Sequence, residues 1–342
     1  MNTDILTAPQ CFRLRKLIDE AENIVLCCHT NPDGDALGSM LGWKEYLRLL
    51  GKKAQIIVPD MFPDYLQWLP GAESILRYDK YSSEAQAHVG DADLIFCLDF
   101  NGLDRLGRFA PVIEHSHAKR VVIDHHPQPT IPACELTISF PKMSSTCELV
   151  MRIVCQLDGF DKLDRQFAIP VYCGMMTDTG GFTYNSSTPE IFYLISLLLT
   201  KGIDKDKIYR NVYHNFSENR LRLVGYVLKD RLVVMKHSAY HTLTRQDLAD
   251  YHFIKGDAEG IVNMPLQIKN VKLSISLRED TEEDRVLVSL RSVEPYKCND
   301  IAVKYFNGGG HDYAAGGKLP GSMEEAEKVA VQALQSFEDK FR

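Results

Sequence analysis

His29, Asp33 and Asp35 stand together in "HTNPDGD", on a Pro-Gly turn between the apolar run "NIVLCC" and the stretch "ALGSMLGWKEYLRLL". Imidazole and carboxylate groups crowded on so short a loop need either partners or a cation. Similar groups recur along the first half of the chain. Asp99 lies in "CLDFN", Asp124, His125 and His126 end the run "AKRVVIDHH", and Asp178 precedes a glycine pair in "MMTDTGGF". Carboxylates gathered in one place raise one another's pKa values, and no comparable group of Lys and Arg accompanies these. Divalent cations are the natural compensation. Imidazole with carboxylate and no thiolate suits Mn²⁺, Fe²⁺, Zn²⁺ or Co²⁺ better than Ca²⁺. The donors exceed what one ion needs in an open site, and two ions ~3.5–4 Å apart sharing a carboxylate suit phosphoester hydrolysis. Pro32 stiffens the first loop and Gly34 permits an unusual backbone angle there. Asp33 and Asp35 can then face different ions, and the helix N-terminus favours their charge.

The elements that must position these groups are legible in the apolar patterning. Helices are expected over 9–22, 36–50, 104–116, 144–157 and 163–175; the second of these closes on Gly51. Between them "NIVLCCH", "AQIIVP", "DLIFCLDF" and "AKRVVIDHH" read as buried strands. The alternation predicts an α/β domain with a mostly parallel sheet covered by helices on both faces. Sites in such sheets form outside the carboxyl ends of the strands, where His29, Asp99 and Asp124 would converge. After about residue 190 the pattern changes. A helical linker is expected over 191–218, with a polar kink near Gly202. Strands follow in "LVVMKH", "NVKLSISLRED" and "DRVLVSLRSV", then a helix near 300–306, the glycine-rich "NGGGHDYAAGG" and a terminal helix over 323–341. The expected division is 1–190, 191–218 and 219–342, the last a smaller C-terminal α/β domain.

That glycine run costs backbone entropy, so stability alone does not explain it. Gly308, Gly309 and Gly310 let backbone N–H groups approach an anion, with His311 following and Arg291 on the preceding strand. A flexible hairpin is the plainer reading of the same residues. Arg291 can hold a terminal phosphate bidentately. Phe182, Tyr184 and Tyr313 either stack a base or line a wall. Ser144, Ser145 and Thr146, before a helix, either cap it or touch substrate.

Composition bounds the partners. With 342 residues, 45% hydrophobic and 25% charged, the chain is long enough for two cores. A net charge of -7 and a pI near 5.9 leave no long basic track, so long double-stranded nucleic acid is not an expected partner. A short anionic ligand held by one end is the economical reading. No basic-then-apolar leader appears, and no apolar run approaches the ~20 residues of a membrane span. The nine cysteines form no CxxC pair, which reads as reduced thiols of a cytoplasmic protein. The assembly is left between monomer and homodimer.

Taken in order, "HTNPDGDALGS", "CLDFN", "IDHH" and "TDTGGF" resemble the four motifs of the DHH phosphoesterase superfamily. The later "SLRS" and "NDIAVKYFNGGGHDYAAGG" resemble its DHHA1 associated domain. Within that superfamily the chain is similar to the NrnA-type oligoribonucleases (nanoRNases), which also dephosphorylate 3′-phosphoadenosine 5′-phosphate (pAp). The resemblance implies two divalent ions, Mn²⁺ foremost. His29 and Asp33 would hold the first, Asp35, His125 and Asp178 the second, with Asp99 bridging. It also implies Asp124 as support orienting a ligand histidine, His126 beside the substrate phosphate, and Arg291, Gly308 to Gly310 and His311 on the substrate's other end. The implied substrates are short RNA and pAp. Rival readings are a phosphodiesterase for cyclic di-AMP or its linear product pApA, and a nucleotide sensor without catalysis. A family II pyrophosphatase would lack a glycine loop of this kind, and a RecJ-like nuclease would be much larger.

Overall fold

The apolar runs become strands because each is flanked by helices that bury both of its faces. A computed structural model describes residues 3–254 and 256–341. The chain divides into two compact units, Met1–Asn215 and Phe216–Arg342.

In the first unit, β1 (Ile24–Cys27), β2 (Ala54–Val58), β3 (Leu76–Arg77), β4 (Leu94–Leu98), β5 (Lys119–Asp124) and β6 (Cys134–Ser139) form one parallel sheet in the order β3-β2-β1-β4-β5-β6. Strand order reverses between β1 and β4, the switch point at which open α/β sheets place their ligands. Helices α1 (Ala8–Glu20), α2 (Gly34–Leu49), α3 (Ser82–Asp91), α4 (Ala110–Glu114), α5 (Thr146–Gln156), α6 (Arg165–Asp178), α7 (Pro189–Leu199) and α8 (Lys205–Tyr213) complete the unit. Two separate apolar clusters lie against the sheet. Leu26, Phe96 and Ile123 belong to one, and Val25, Ile95 and Val122 to the other. This is the period of two expected of strands buried on both sides.

Two details depart from the sequence reading. The helix expected over 104–116 is a 3₁₀ turn, Leu103–Phe109, followed by the short α4. Gly107 at φ 55° breaks it, and Pro111 restarts it. The stretch 191–218 is helical, but α7 and α8 bury Ile191, Leu194, Leu198, Ile208 and Val212 in the first unit's core. The division between units falls after Asn215.

One helix pair fixes where the site forms. Gly34, Gly38 and Gly42 lie four apart on α2 and face α6. A methyl at Gly38 would come within 2.8 Å of Cys147 Sγ and 3.2 Å of Gly174 Cα, besides meeting the Pro170 carbonyl. Gly174 in turn faces the backbone of Gly34 and Asp35. The bare contact brings the start of α2 against the end of α6, and so Asp35 toward Asp178.

The second unit comprises α9 (Glu218–Tyr226), β7 (Leu232–Val234), β8 (Ser238–Leu243), α10 (Arg245–Asp250), β9 (Leu273–Glu279), β10 (Arg285–Ser292), α11 (Asn299–Tyr305), β11 (Gly309–His311), β12 (Ala314–Pro320) and α12 (Met323–Glu338). Its mixed sheet runs β11-β12-β10-β9-β8-β7. Tyr240 and Ser238 point to α12, bonding Glu327 and Glu338. Arg291 lies on the opposite face from Leu290, which is in the α12-side core. The glycine run is an antiparallel hairpin, with His311 opposite Ala314.

Two predictions follow from packing. Gly38→Ala should destabilise the first unit by ~1–3 kcal/mol, the usual cost of overpacking, measured by urea unfolding. His241 is fully buried, neither ring nitrogen is hydrogen-bonded, and burial pushes its pKa from 6.5 down to about 4. The unfolded chain then binds a proton below pH 6.5 that the folded chain refuses, so acid removes stability. At pH 5 the loss is about 2 kcal/mol relative to neutral pH. Urea midpoints of His241→Leu should fall less steeply between pH 7.5 and 5 than those of wild type.

Candidate metal centre

The strand ends deliver their donors to one edge of the first sheet. His29 follows β1, Asp99 follows β4, and Asp124 ends β5 with His125 and His126 after it. Asp33 caps α2, its Oδ1 accepting from the Asp35 and Ala36 N–H groups at 3.0 Å. That leaves Asp33 Oδ2 facing His29 Nε2 at 3.9 Å. His29 Nε2 also lies 3.5 Å from Asp99 Oδ2. On the other side His125 Nε2 is 3.6 Å from Asp99 Oδ1, 3.8 Å from Asp35 Oδ2 and 3.5 Å from Asp178 Oδ2. Asp99 therefore stands between two half-sites, one oxygen toward each.

The histidine tautomers are set by their other nitrogens. His29 Nδ1–H donates to the Thr30 carbonyl at 2.7 Å, and His125 Nδ1–H to that of Met143 at 3.3 Å. Each Nε2 is thus left with its lone pair toward the carboxylates, as metal ligation requires. Burial holds the His29 pKa below its usual value; Asp33 opposes this and the Arg105 guanidinium reinforces it. Burial alone would lower His125 too, but Asp178, Asp35 and Asp124 outweigh it and raise its pKa. Asp99 is held far above the usual carboxylate range, first by burial and then by Asp35, Asp33, Asp178 and Asp124.

Asp124 gains a partner beyond the sequence reading. Its Oδ1 accepts from His126 Nδ1 at 2.7 Å. Burial would raise the Asp124 pKa, but the His126 bond and charge outweigh it and hold it low. The second oxygen of Asp124 is buried without a hydrogen-bond partner. An orphaned carboxylate oxygen in a buried cluster of acids suits a nearby cation. The donor set, three tautomer-fixed histidines with carboxylates, fits two divalent cations.

The serine run also resolves. Ser145 caps α5, Ser144 bonds Glu148, and Glu148 pairs with Arg152, all buried. Thr146 does something the sequence reading missed: its hydroxyl donates to Asp99 Oδ1 at 3.0 Å. The Thr146 and Cys147 N–H groups donate to the two oxygens of Asp35, at 2.6 and 2.8 Å. Arg105, also missed, accepts at its carbonyl from the Thr30 N–H. The "DRLGR" following Asp99 was its only signal. Phe182 packs its ring against Tyr172 and Phe192, while Tyr184 is half-exposed.

In the second unit Arg291 and His311 both lie opposite Ala314 of β12, on one face of the sheet. Two strand spacings separate them, ~10 Å. Gly308 and Gly310 are forced by packing. A methyl at Gly308 would come within 2.6 Å of Gly317 Cα, and Gly310 has φ 143° with the Ala314 carbonyl 2.7 Å from a methyl there. Gly309 is not forced: a methyl there would meet only Asn299 Oδ1, at 3.9 Å. Tyr313 lies in the turn, its carbonyl accepting from the Ser292 N–H.

Residues 23–175 match the family described as "DHH family, N-terminal domain", and 241–340 match the "DHHA1 domain". A solved Bacteroides fragilis structure, described as an exopolyphosphatase-related protein, is 47% identical over 98% of both chains, with a TM-score of 0.91. The chain belongs to the DHH/DHHA1 family. It is 28% identical to the "Bifunctional oligoribonuclease and PAP phosphatase NrnA" of Thermus thermophilus, over 91% of this chain and 89% of that one. It is 25% identical to the "Cyclic-di-AMP phosphodiesterase GdpP" of Bacillus subtilis, over 95% of this chain but 49% of GdpP.

The geometry makes Asp99 the test of the centre. Chelator-treated wild type titrated calorimetrically with Mn²⁺ should take up two ions, and Asp99→Asn should lose the pair. Without metal, Asp99→Asn should melt no lower than wild type, because it removes a repelled charge. Retention of two tightly bound ions by the variant would overturn the bridging assignment.

Proposed function

We propose that this DHH/DHHA1 chain is a Mn²⁺-dependent phosphoesterase that hydrolyses short oligoribonucleotides to mononucleotides and pAp to AMP. The observation that carries the reading is the placement of Asp99 between two half-sites, its two oxygens facing His29 and His125. Likeness to NrnA along nine-tenths of the chain supports the substrate class.

His29, Asp33 and Asp99 would hold one ion, and Asp35, Asp99, His125 and Asp178 the other. When bound, such ions polarise a phosphoryl group and activate water. The chain's own residues do the rest. His126 is anchored through Nδ1 to Asp124, and its imidazole would face a phosphate oxygen. Its ring would be placed against the charge that develops on the phosphate. Asp124 is thus a positioning group for His126. In the second unit Arg291, His311 and the N–H groups around Gly309 bind the non-reacting end of the substrate. The overall acidity of the chain favours a short ligand over a long one.

The likeness to GdpP favours cyclic di-AMP or pApA as the second reading. Rates on pAp, pApA, cyclic di-AMP and short RNAs, measured with Mn²⁺, separate the two. Faster turnover of RNA dimers and pAp supports the proposal, preference for cyclic di-AMP replaces it, and binding without turnover leaves a sensor.

Arg291→Ala divides the labour. It should lower kcat/KM on substrates with a terminal phosphate by the equivalent of ~1.5–3 kcal/mol, the range of a charged hydrogen bond. A chromogenic phosphodiester without such an end should be cut almost as before. Equal losses on both substrates would remove Arg291 from substrate binding.

A further inference from the structure

Thr146 touches two of the candidate ligands through different atoms. Its backbone N–H holds Asp35 and its hydroxyl holds Asp99. All three residues are buried. Asp99 Oδ1, the oxygen that receives the hydroxyl, is the one facing His125; Oδ2 faces His29. A carboxylate can rotate about its last torsion; the Asp99 backbone N–H is tied to the Ile123 carbonyl, and the hydrogen bond to its side chain comes from Thr146. A single hydroxyl donated to one oxygen therefore sets the plane of the whole group.

We propose that Thr146 is a positioning residue of the metal centre, whose hydroxyl orients the Asp99 carboxylate so that each oxygen serves a different ion. The inference rests on the two-ion reading of the site. The reason for a threonine is local. At the first position of α5 its N–H has no partner within the helix and is aimed at Asp35, while the side chain turns to Asp99. One residue thereby ties together an acid from the first turn of α2 and an acid from the end of β4. A serine or threonine can make both bonds, whereas a valine keeps the first and loses the second.

Thr146→Val removes the hydroxyl, keeps the shape and leaves the Asp35 bond untouched. Chelator-treated wild type, Thr146→Val and Thr146→Ser are titrated calorimetrically with Mn²⁺, and their metal-free melting curves are compared. Thr146→Val is expected to melt like wild type and to bind its weaker ion about 10–100-fold less tightly, the usual effect of losing a group that orients a ligand. Thr146→Ser is expected to restore the affinity. The spin-coupled Mn²⁺ pair signal of the loaded wild type should return with serine and not with valine. Should the valine variant fold poorly, Thr146→Ala against Thr146→Ser makes the same comparison. Full-strength binding of both ions without the hydroxyl would overturn the inference. Uptake of only one ion by wild type would instead overturn the two-ion reading beneath it.

Discussion

Asp99 has four carboxylates around it, those of Asp33, Asp35, Asp124 and Asp178, and the first unit is built to make that tolerable. One oxygen each of Asp33, Asp35 and Asp124 can lie within 4.8 Å of Asp99 or closer. Two full charges at that distance repel by about 3–4 kcal/mol even at an effective dielectric constant of about 20. The start of α5 faces Asp35 and that of α2 faces Asp33, but a helix N-terminus contributes about 0.3–1 kcal/mol, or at most ~2 when partly buried. Protonation of Asp99, which its raised pKa expresses, is one relief. Divalent cations, as proposed above, are the relief that would use all the acids at once. The apolar core behind the sheet edge cannot supply it and serves to hold the strands that bring the acids there.

Much of this was legible because it depends on local order in the sequence. Each of β1, β4 and β5 is an apolar run that stops at a donor, and a parallel sheet must bring such ends to one side. The Pro-Gly turn before α2 marked Asp33 and Asp35 by the same logic. Less legible were elements whose sequence is not apolar on both faces. The two-residue β3 and the edge strand β6, with exposed Glu135 and Thr137, lack the pattern of a buried strand. β8, "SAYHTL", carries serine, histidine and threonine in a position buried on both faces, where Ser238 and Tyr240 bond α12 and His241 is unpaired. Only tertiary packing makes it a central strand.

Side-chain direction was the other limit. That Asp124 bonds His126, two residues on, depends on how the chain turns beyond β5. That Thr146, and not Ser144 or Ser145, reaches the centre depends on which residue begins α5. A run of three hydroxyl residues before a helix cannot distinguish cap from site by composition. The bonds separate them: Ser145 caps, Ser144 braces Glu148, and Thr146 turns inward. The glycine run divides similarly, two of its members required by backbone contact and one leaving a face open.

Asp99 itself carries a backbone cost that the site explains. Its φ of 64° is in the left-handed region, uncommon for a residue with a side chain and worth of order 1–3 kcal/mol where it is strained. An extended conformation would continue β4 and point the carboxylate to one face of the sheet, as it does for Cys97 two residues earlier. The left-handed turn ends the strand while its N–H still bonds Ile123 on β5. The side chain is thereby placed between the β1 loop and the β5 end, within reach of both His29 and His125. The ladders of β4 to β1 and β5 on either side hold the turn in place. A glycine would adopt this turn without cost but would bring no carboxylate, so the strain is the consequence of needing an acid at the one point that both half-sites share.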